Sequence, residues 1–128
     1  MVIVDSRLGD WEGWPADQVK QRGDVQWKTL ISAGQTDSEA LTAGVARLAP
    51  YGRLCAHHHA QPEVYVILEG AGVVTIDGVA ADVAAGATVF IPGSVVHAIE
   101  AGEAELRFAY VLAADAFTDV TYVFDGLS

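Results

Sequence analysis

The chain has 128 residues, of which 52% are hydrophobic, and its 7 Lys and Arg against 17 Asp and Glu give a formal net charge of −10. This length supports one globular domain with a single core, and the hydrophobic content is too high for a disordered chain. The acidic surface repels phosphate backbones and no cluster of Lys or Arg offsets it, so we expect no nucleic-acid partner. A single cysteine, Cys55, excludes a disulfide scaffold within the chain.

The N-terminal segment differs in composition from the rest. Residues 1–5 lack the basic start and apolar core of a secretion signal, and every apolar run is shorter than the roughly 18 residues that span a membrane. We therefore expect a soluble, cytoplasmic protein with no membrane partner. Residues 1–24 predict an N-terminal arm in which Pro15 opens a short helix through Val19 and Lys20.

From Val25 onward the sequence consists of short runs rich in Val, Ile, Thr, Tyr and Phe, separated by Gly, Pro and Asp. Such runs predict strands. Asp77-Gly78 supplies the two positive-φ residues of a type I′ hairpin turn and therefore predicts antiparallel neighbours. Many short strands with frequent turn signals indicate an all-β sandwich or closed barrel over residues 25–128. The predicted strands are 25–31, 41–48, 64–68, 72–76, 79–83, 88–91, 95–99, 105–112 and 120–124.

The segment from His57 to Glu63, together with the later His97, carries the chemistry. Successive side chains of a strand point to opposite faces, so His57 and His59 share a face while His58 points away, to solvent or to a contact behind the site. Glu63 lies beside the next predicted strand, and His97 can approach from a neighbouring one. Three imidazoles and one carboxylate that converge inside an apolar barrel suit a divalent first-row transition metal.

The alternative interpretation is a polar loop of histidines with a separate, satisfied buried His97. The joint spacing favours the metal site. The donors do not fix the metal, because Fe, Mn, Ni, Zn, Co and Cu all accept three His and a carboxylate. Such a site leaves coordination positions open for substrate or oxygen. Cys55 shares the parity of His57 on a regular strand, which makes it either a weak ligand or a small buried hydrophobe.

Two stretches of the sequence resemble the two motifs of the cupin family. They read His57-x-His59-x3-Glu63-x6-Gly70 and Gly86-x5-Pro92-x4-His97. With the predicted strands, the resemblance covers about residues 40–113. It implies a cupin (double-stranded β-helix, or jelly-roll) barrel, often a homodimer, that binds one metal through His57, His59, Glu63 and His97.

The C-terminal segment, residues 106–124, is similar to the ending of the small single-domain cupins that include the dimethylsulfoniopropionate lyases. In those enzymes the substrate carboxylate meets the metal, a tyrosine removes the α-proton, and dimethyl sulfide leaves with acrylate as the other product. The resemblance implies Tyr65 as the base and Tyr122 as a second phenol for substrate or proton handling. The alternative for Tyr65 is a packed strand tyrosine.

A sulfonium substrate also suits an aromatic wall, since a cation over an aromatic ring gains about 0.5–2 kcal/mol. Trp27 and Phe108 are the expected substrate-binding residues, with Trp11 and Trp14 as further candidates. The alternative for each of them is a core or interface residue.

We therefore expect a metal-dependent enzyme that acts on a small carboxylate-bearing metabolite, with a lyase as the leading interpretation. The first alternative is an iron-dependent cupin dioxygenase, in which the open metal positions bind oxygen and an electron-rich substrate. The second alternative is a non-catalytic cupin that binds a small molecule through its metal. Dependence on oxygen separates the lyase from the dioxygenase, and product formation separates both from the binding protein.

Overall fold

Short β strands make up most of the regular structure in residues 1–126, the part of the chain that the computed structural model describes. Within these residues the helical parts are one single-turn helix, α1 (Val19–Arg22), and two 3-10 turns, Ala16–Gln18 and Phe117–Asp119. The strands are β1 (Glu12–Gly13), β2 (Gln26–Ile31), β3 (Thr42–Leu48), β4 (Arg53–His58), β5 (Glu63–Glu69), β6 (Ala71–Ile76), β7 (Val79–Ala84), β8 (Thr88–Ile91), β9 (His97–Ala101), β10 (Leu106–Leu112) and β11 (Val123–Phe124).

The strands form two sheets whose pairings are all antiparallel. One sheet has the order β1-β2-β3-β10-β5-β8, and the other has the order β11-β4-β9-β6-β7. Strands that are distant in sequence, such as β3 and β10, lie side by side in the first sheet. The expectation of an all-β fold is confirmed.

The core lies between the two sheets and follows the two-residue period of the strands. On β10, Leu106, Phe108, Tyr110 and Leu112 are buried, while the residues between them are only partly covered. The second sheet contributes Leu54, Ile99 and Val74 to the same cluster, among others. Each large apolar side chain buried in this way stabilises the fold by about 1.5–3 kcal/mol. The barrel interior is therefore apolar except where polar side chains enter it.

Both ends of the described chain join a sheet. Near the N-terminus β1 pairs with β2, so that Glu12 faces Trp27, and the predicted short helix after Pro15 is confirmed as a 3-10 turn that continues into α1. At the other end β11 pairs with β4 at the edge of the second sheet. No helix within residues 1–126 is long and apolar enough to cross a membrane.

Some strand boundaries differ from the expected ones. The sequence indicated no separate strand for β4, because its Cys, Ala and His residues are not strong strand formers. The strand predicted over residues 95–99 begins only at His97, since Ser94 has a positive φ of 65° and ends a turn that follows Pro92. The Asp77-Gly78 hairpin is confirmed, with both residues at positive φ and β6 paired with β7.

Candidate metal centre and adjoining cavity

Three histidines and a glutamate meet at one end of the barrel interior. His57 on β4 lies directly opposite His97 on β9, His59 follows β4, and Glu63 is the first residue of β5. All four side chains are buried, with at most 4% of any residue exposed. One ring nitrogen from each histidine lies within 4.8 Å of the others, close enough to hold a single metal ion.

An irregularity in β4 aims His57 at this point. Leu54 pairs with Ile99 and His57 pairs with His97, so three steps along β4 match two along β9. Such a bulge places an extra residue in one strand and resets its alternation. Leu54 and His57 consequently both lie on the interior face of β4, although strict alternation would put them on opposite faces. Cys55 lies within the bulge and does not belong to the group of metal-binding candidates found among residues 1–126.

Backbone carbonyls fix the orientation of all three imidazoles. The Nδ1 atoms of His57, His59 and His97 lie 2.7, 2.9 and 2.9 Å from carbonyl oxygens of residues two positions away in the chain. A carbonyl only accepts hydrogen bonds, so each Nδ1 carries the proton and donates it. Each Nε2 is left with a lone pair, which is the form in which histidine binds a metal.

The Nε2 atoms point to a position that requires positive charge. Those of His57 and His97 are buried and make no hydrogen bond within residues 1–126. The Glu63 carboxylate lies 3.2 Å from the Nε2 of His59 and 3.4 Å from that of His97, so acceptors face acceptors. Burial, followed by the neighbouring His97, lowers the pKa of His57 well below its ordinary value and keeps that ring neutral. A divalent cation would accept the lone pairs of these nitrogen and oxygen atoms and offset the repulsion between them. The donor set therefore fits a metal ion.

His58 lies on the other side of β4, as the alternation of side chains predicts. It is partly buried, and its Nδ1 lies 3.1 Å from both carboxylate oxygens of Asp125. It takes no part in the buried cluster.

A cavity adjoins the cluster at Glu63, and it brings together the four other residues proposed from the sequence. Tyr65, Tyr122, Trp27 and Phe108 all line it. Trp14 lines it as well, whereas Trp11 lies elsewhere, with the Arg47 guanidinium 4.2 Å from its ring centre. The remaining lining residues are Val25, Ala46, Leu54, Tyr110 and Phe117.

None of these five lining residues was proposed from the sequence, and two of them, Tyr110 and Phe117, are aromatic. Tyr110 shares the parity of Phe108 on β10, so alternation was a signal that could have found it. Phe117 lies in a 3-10 turn, where no two-residue period applies, and its place could not be read from the pattern.

The two phenols of interest lie near different members of the histidine cluster. The Tyr65 ring lies 6.2 Å from that of His97 and packs on Phe108 at 4.6 Å. The Tyr122 ring stacks on His57 at 5.3 Å and lies at the same distance from His59. Burial, and then the charge of Glu63, raises the pKa of both phenols well above 10.0. A base made from either tyrosine therefore needs positive charge nearby.

Comparison with known proteins places this geometry in a family. The model of the cupin domain matches residues 44–113, more than half of the chain. The chain belongs to the cupin family. Its two antiparallel sheets are thus the expected jelly-roll barrel, as in the polyketide cyclase RemF from Streptomyces resistomycificus, with a TM-score of 0.78 and 20% identity over 100% of this chain and 87% of that one.

Two further proteins are more similar in sequence. A dimethylsulfoniopropionate lyase, DddW from Ruegeria pomeroyi, is 41% identical over 102 residues, which cover 80% of this cupin and 67% of the lyase. The structure of a predicted oxalate decarboxylase from Thermotoga maritima is 26% identical, with a TM-score of 0.73, and covers 88% of this chain and 99% of that one. The expected resemblance to the dimethylsulfoniopropionate lyases is confirmed.

Proposed function

We propose that this cupin is a metal-dependent lyase that converts dimethylsulfoniopropionate to dimethyl sulfide and acrylate. The observation that carries the proposal is the meeting of a histidine cluster suited to hold a metal ion with two phenols and an aromatic cavity. The 41% identity to a lyase that acts on this substrate supports the reaction class. A small carboxylate-bearing metabolite is the coarser substrate class.

The proposed ligands are His57, His59, Glu63 and His97. When bound, a divalent transition metal supplies positive charge that holds the substrate carboxylate, stabilises the charge developing on it during deprotonation, and lowers the pKa of a neighbouring phenol. The donor set accepts Fe, Mn, Ni, Zn, Co or Cu, so it does not select among them. The carbonyls that hold each Nδ1–H keep the three rings in the ligating tautomer.

Tyr65 is the proposed base. Its phenolate oxygen takes the proton from the α-carbon of the substrate, and the electron pair of that C–H bond forms the double bond of acrylate. The bond between the β-carbon and sulfur breaks, and its electron pair leaves on dimethyl sulfide, so the sulfonium charge and the phenolate charge cancel. Tyr122, whose ring stacks on His57, is the proposed second phenol that orients the substrate or returns the proton.

The aromatic lining of the cavity is proposed to bind the sulfonium group. Trp27 and Phe108 present ring surfaces there, and Trp14 packs against Trp27 with ring centres 4.8 Å apart. A cation held over such a ring gains about 0.5–2 kcal/mol. The same rings exclude water, which strengthens the electrostatic interactions at the reacting carbon.

The proposal is tested by measuring dimethyl sulfide in the headspace over purified, metal-loaded protein given dimethylsulfoniopropionate under nitrogen. We expect release from the wild type and loss of at least about 100-fold in kcat for Tyr65→Phe, the size typical of a missing general base. Near-wild-type release by Tyr65→Phe would refute its role as the base. Turnover that needs oxygen and ferrous iron would replace the lyase by a dioxygenase, and tight binding without product would indicate a binding protein.

Two further expectations from the sequence stay predictions. These are the homodimer and the cytoplasmic location. Light scattering on the purified protein checks the first, since a dimer has twice the 13.5 kDa mass of the chain. Fractionation of the source cells checks the second.

A further inference from the structure

A polar contact ties the C-terminal strand to the back of the metal-binding strand. The Nδ1–H of His58 donates to Asp125, whose two carboxylate oxygens both lie 3.1 Å from it. The backbone N–H of Asp125 donates to the carbonyl of Ala56 at 3.0 Å. Both side chains are mostly covered, with 34% of His58 and 20% of Asp125 exposed.

The segment held by this contact carries rings of the candidate site. In β11, Phe124 lies opposite His57, and Tyr122 immediately precedes the strand. Tyr122 stacks on His57 with ring planes only 24° apart, and Phe124 lies 5.3 Å from the same imidazole. The His58 contact on the outer side of β4 and the Tyr122 contact on the inner side therefore belong to one short stretch of chain.

β11 by itself is a weak attachment. It has two residues and lies at the edge of its sheet, where a short ladder offers few hydrogen bonds. The other contacts of the segment are ring packing and a cation–π contact, in which the Arg22 guanidinium lies 5.0 Å from the Phe124 ring centre. Stacking of this kind tolerates sliding and tilting, whereas hydrogen bonds to a carboxylate fix direction.

We propose that His58 and Asp125 form a latch that positions Tyr122 over the metal-binding histidines. They are positioning residues, because neither borders the cavity and both act through the C-terminal segment. The role of Tyr122 in turnover rests on the proposed function, while the placement of its ring does not. The latch needs only a proton on Nδ1 of His58, which the neutral imidazole supplies.

Nitration of tyrosine by tetranitromethane, mapped by mass spectrometry, tests the placement without any need for activity. Tyr51, which is 69% exposed, is the internal reference, and Asp82→Ala is the matched control at an exposed carboxylate of β7. We expect His58→Ala and Asp125→Ala to nitrate Tyr122 roughly three- to tenfold faster relative to Tyr51. His58→Asn, which keeps an N–H near the position of Nδ1, should restore most of the protection. Unchanged protection in both alanine variants would overturn the latch, as would an equal loss in Asp82→Ala.

Steady-state kinetics test the effect on the reaction. With metal content unchanged, we expect kcat to fall roughly three- to tenfold in Asp125→Ala, the size expected for a partly exposed charged contact. In a Tyr122→Phe background the same change should have no further effect, because the latch acts through that phenol. Additive losses in the double variant would contradict this route. A wild type that releases no dimethyl sulfide but passes the nitration test would sink the proposed function and keep the latch.

Discussion

Adjacent histidines of opposite orientation offer the sharpest test of the metal centre. His57→Ala removes a proposed ligand, whereas His58→Ala removes the same side chain from the outer face of β4. A ligand that binds only the folded chain stabilises it by about 2.7 kcal/mol at 100 times its Kd. With an unfolding entropy of about 2.1 cal/mol/K per residue, a chain of 128 residues converts this into a rise in Tm of about 10 °C.

Loss of one ligand should remove most of that rise. If the Kd increases about 100-fold, the same metal concentration stabilises the folded chain by only about 0.4 kcal/mol, which is under 2 °C. We therefore expect calorimetry to show a metal-dependent rise in Tm of about 10 °C for wild type and His58→Ala, and little for His57→Ala. Metal analysis after desalting should give the same order. Equal metal loss in His58→Ala and His57→Ala, or no metal-dependent rise in the wild type, would refute the reasoning.

Three other predictions address the phenols, the buried imidazole and the packing. Tyr122→Phe should keep its metal but lower kcat for dimethyl sulfide release, and unchanged kinetics would exclude its phenol from turnover. The fold lowers the pKa of His57, so in metal-free protein the unfolded chain binds a proton on this ring that the folded chain does not. The free energy of unfolding of the metal-free protein should therefore fall as the pH drops below about 6.5, by up to about 1.4 kcal/mol per pH unit. A Tm of the metal-free protein that rises as the pH is lowered below this value would contradict the prediction. Gly44→Ala should lower Tm by about 4–11 °C, the equivalent of about 1–3 kcal/mol, because the added methyl would collide with the Tyr110 ring and the Lys28 carbonyl.

Alternation along strands carried most of the site prediction. It separates His58 from His57 and His59, and it places Phe108 with the interior residues of β10. Its success has a physical basis, since a barrel with an apolar interior forces one face of each strand inward. His97 was expected to approach from a neighbouring strand, but its direct pairing with His57 joins two strands that are far apart in sequence, and alternation alone does not give that register.

The features that the sequence did not predict are those without a simple period. The bulge between Leu54 and His57 interrupts the alternation of β4, so the expectation that Cys55 and His57 share a face, which assumed a regular strand, does not apply. Phe117 reaches the cavity from a 3-10 turn, where no two-residue period applies. Trp14, one of the further candidates from the sequence, lines the cavity from a position just before Pro15 and another 3-10 turn. Such positions depend on how separate segments pack together, which local residue preferences do not encode.

The most direct test of the central claim starts from protein whose metal has been removed with a chelator. The rate of dimethyl sulfide release is measured under nitrogen as metal is added back. If the cluster of three histidines and Glu63 is the reaction centre, the rate should rise in proportion to bound metal and reach its maximum at one ion per chain. It should also stay near background at every metal concentration in His97→Ala. Turnover by the metal-free wild type, or no turnover with one metal ion bound per chain, would contradict the account.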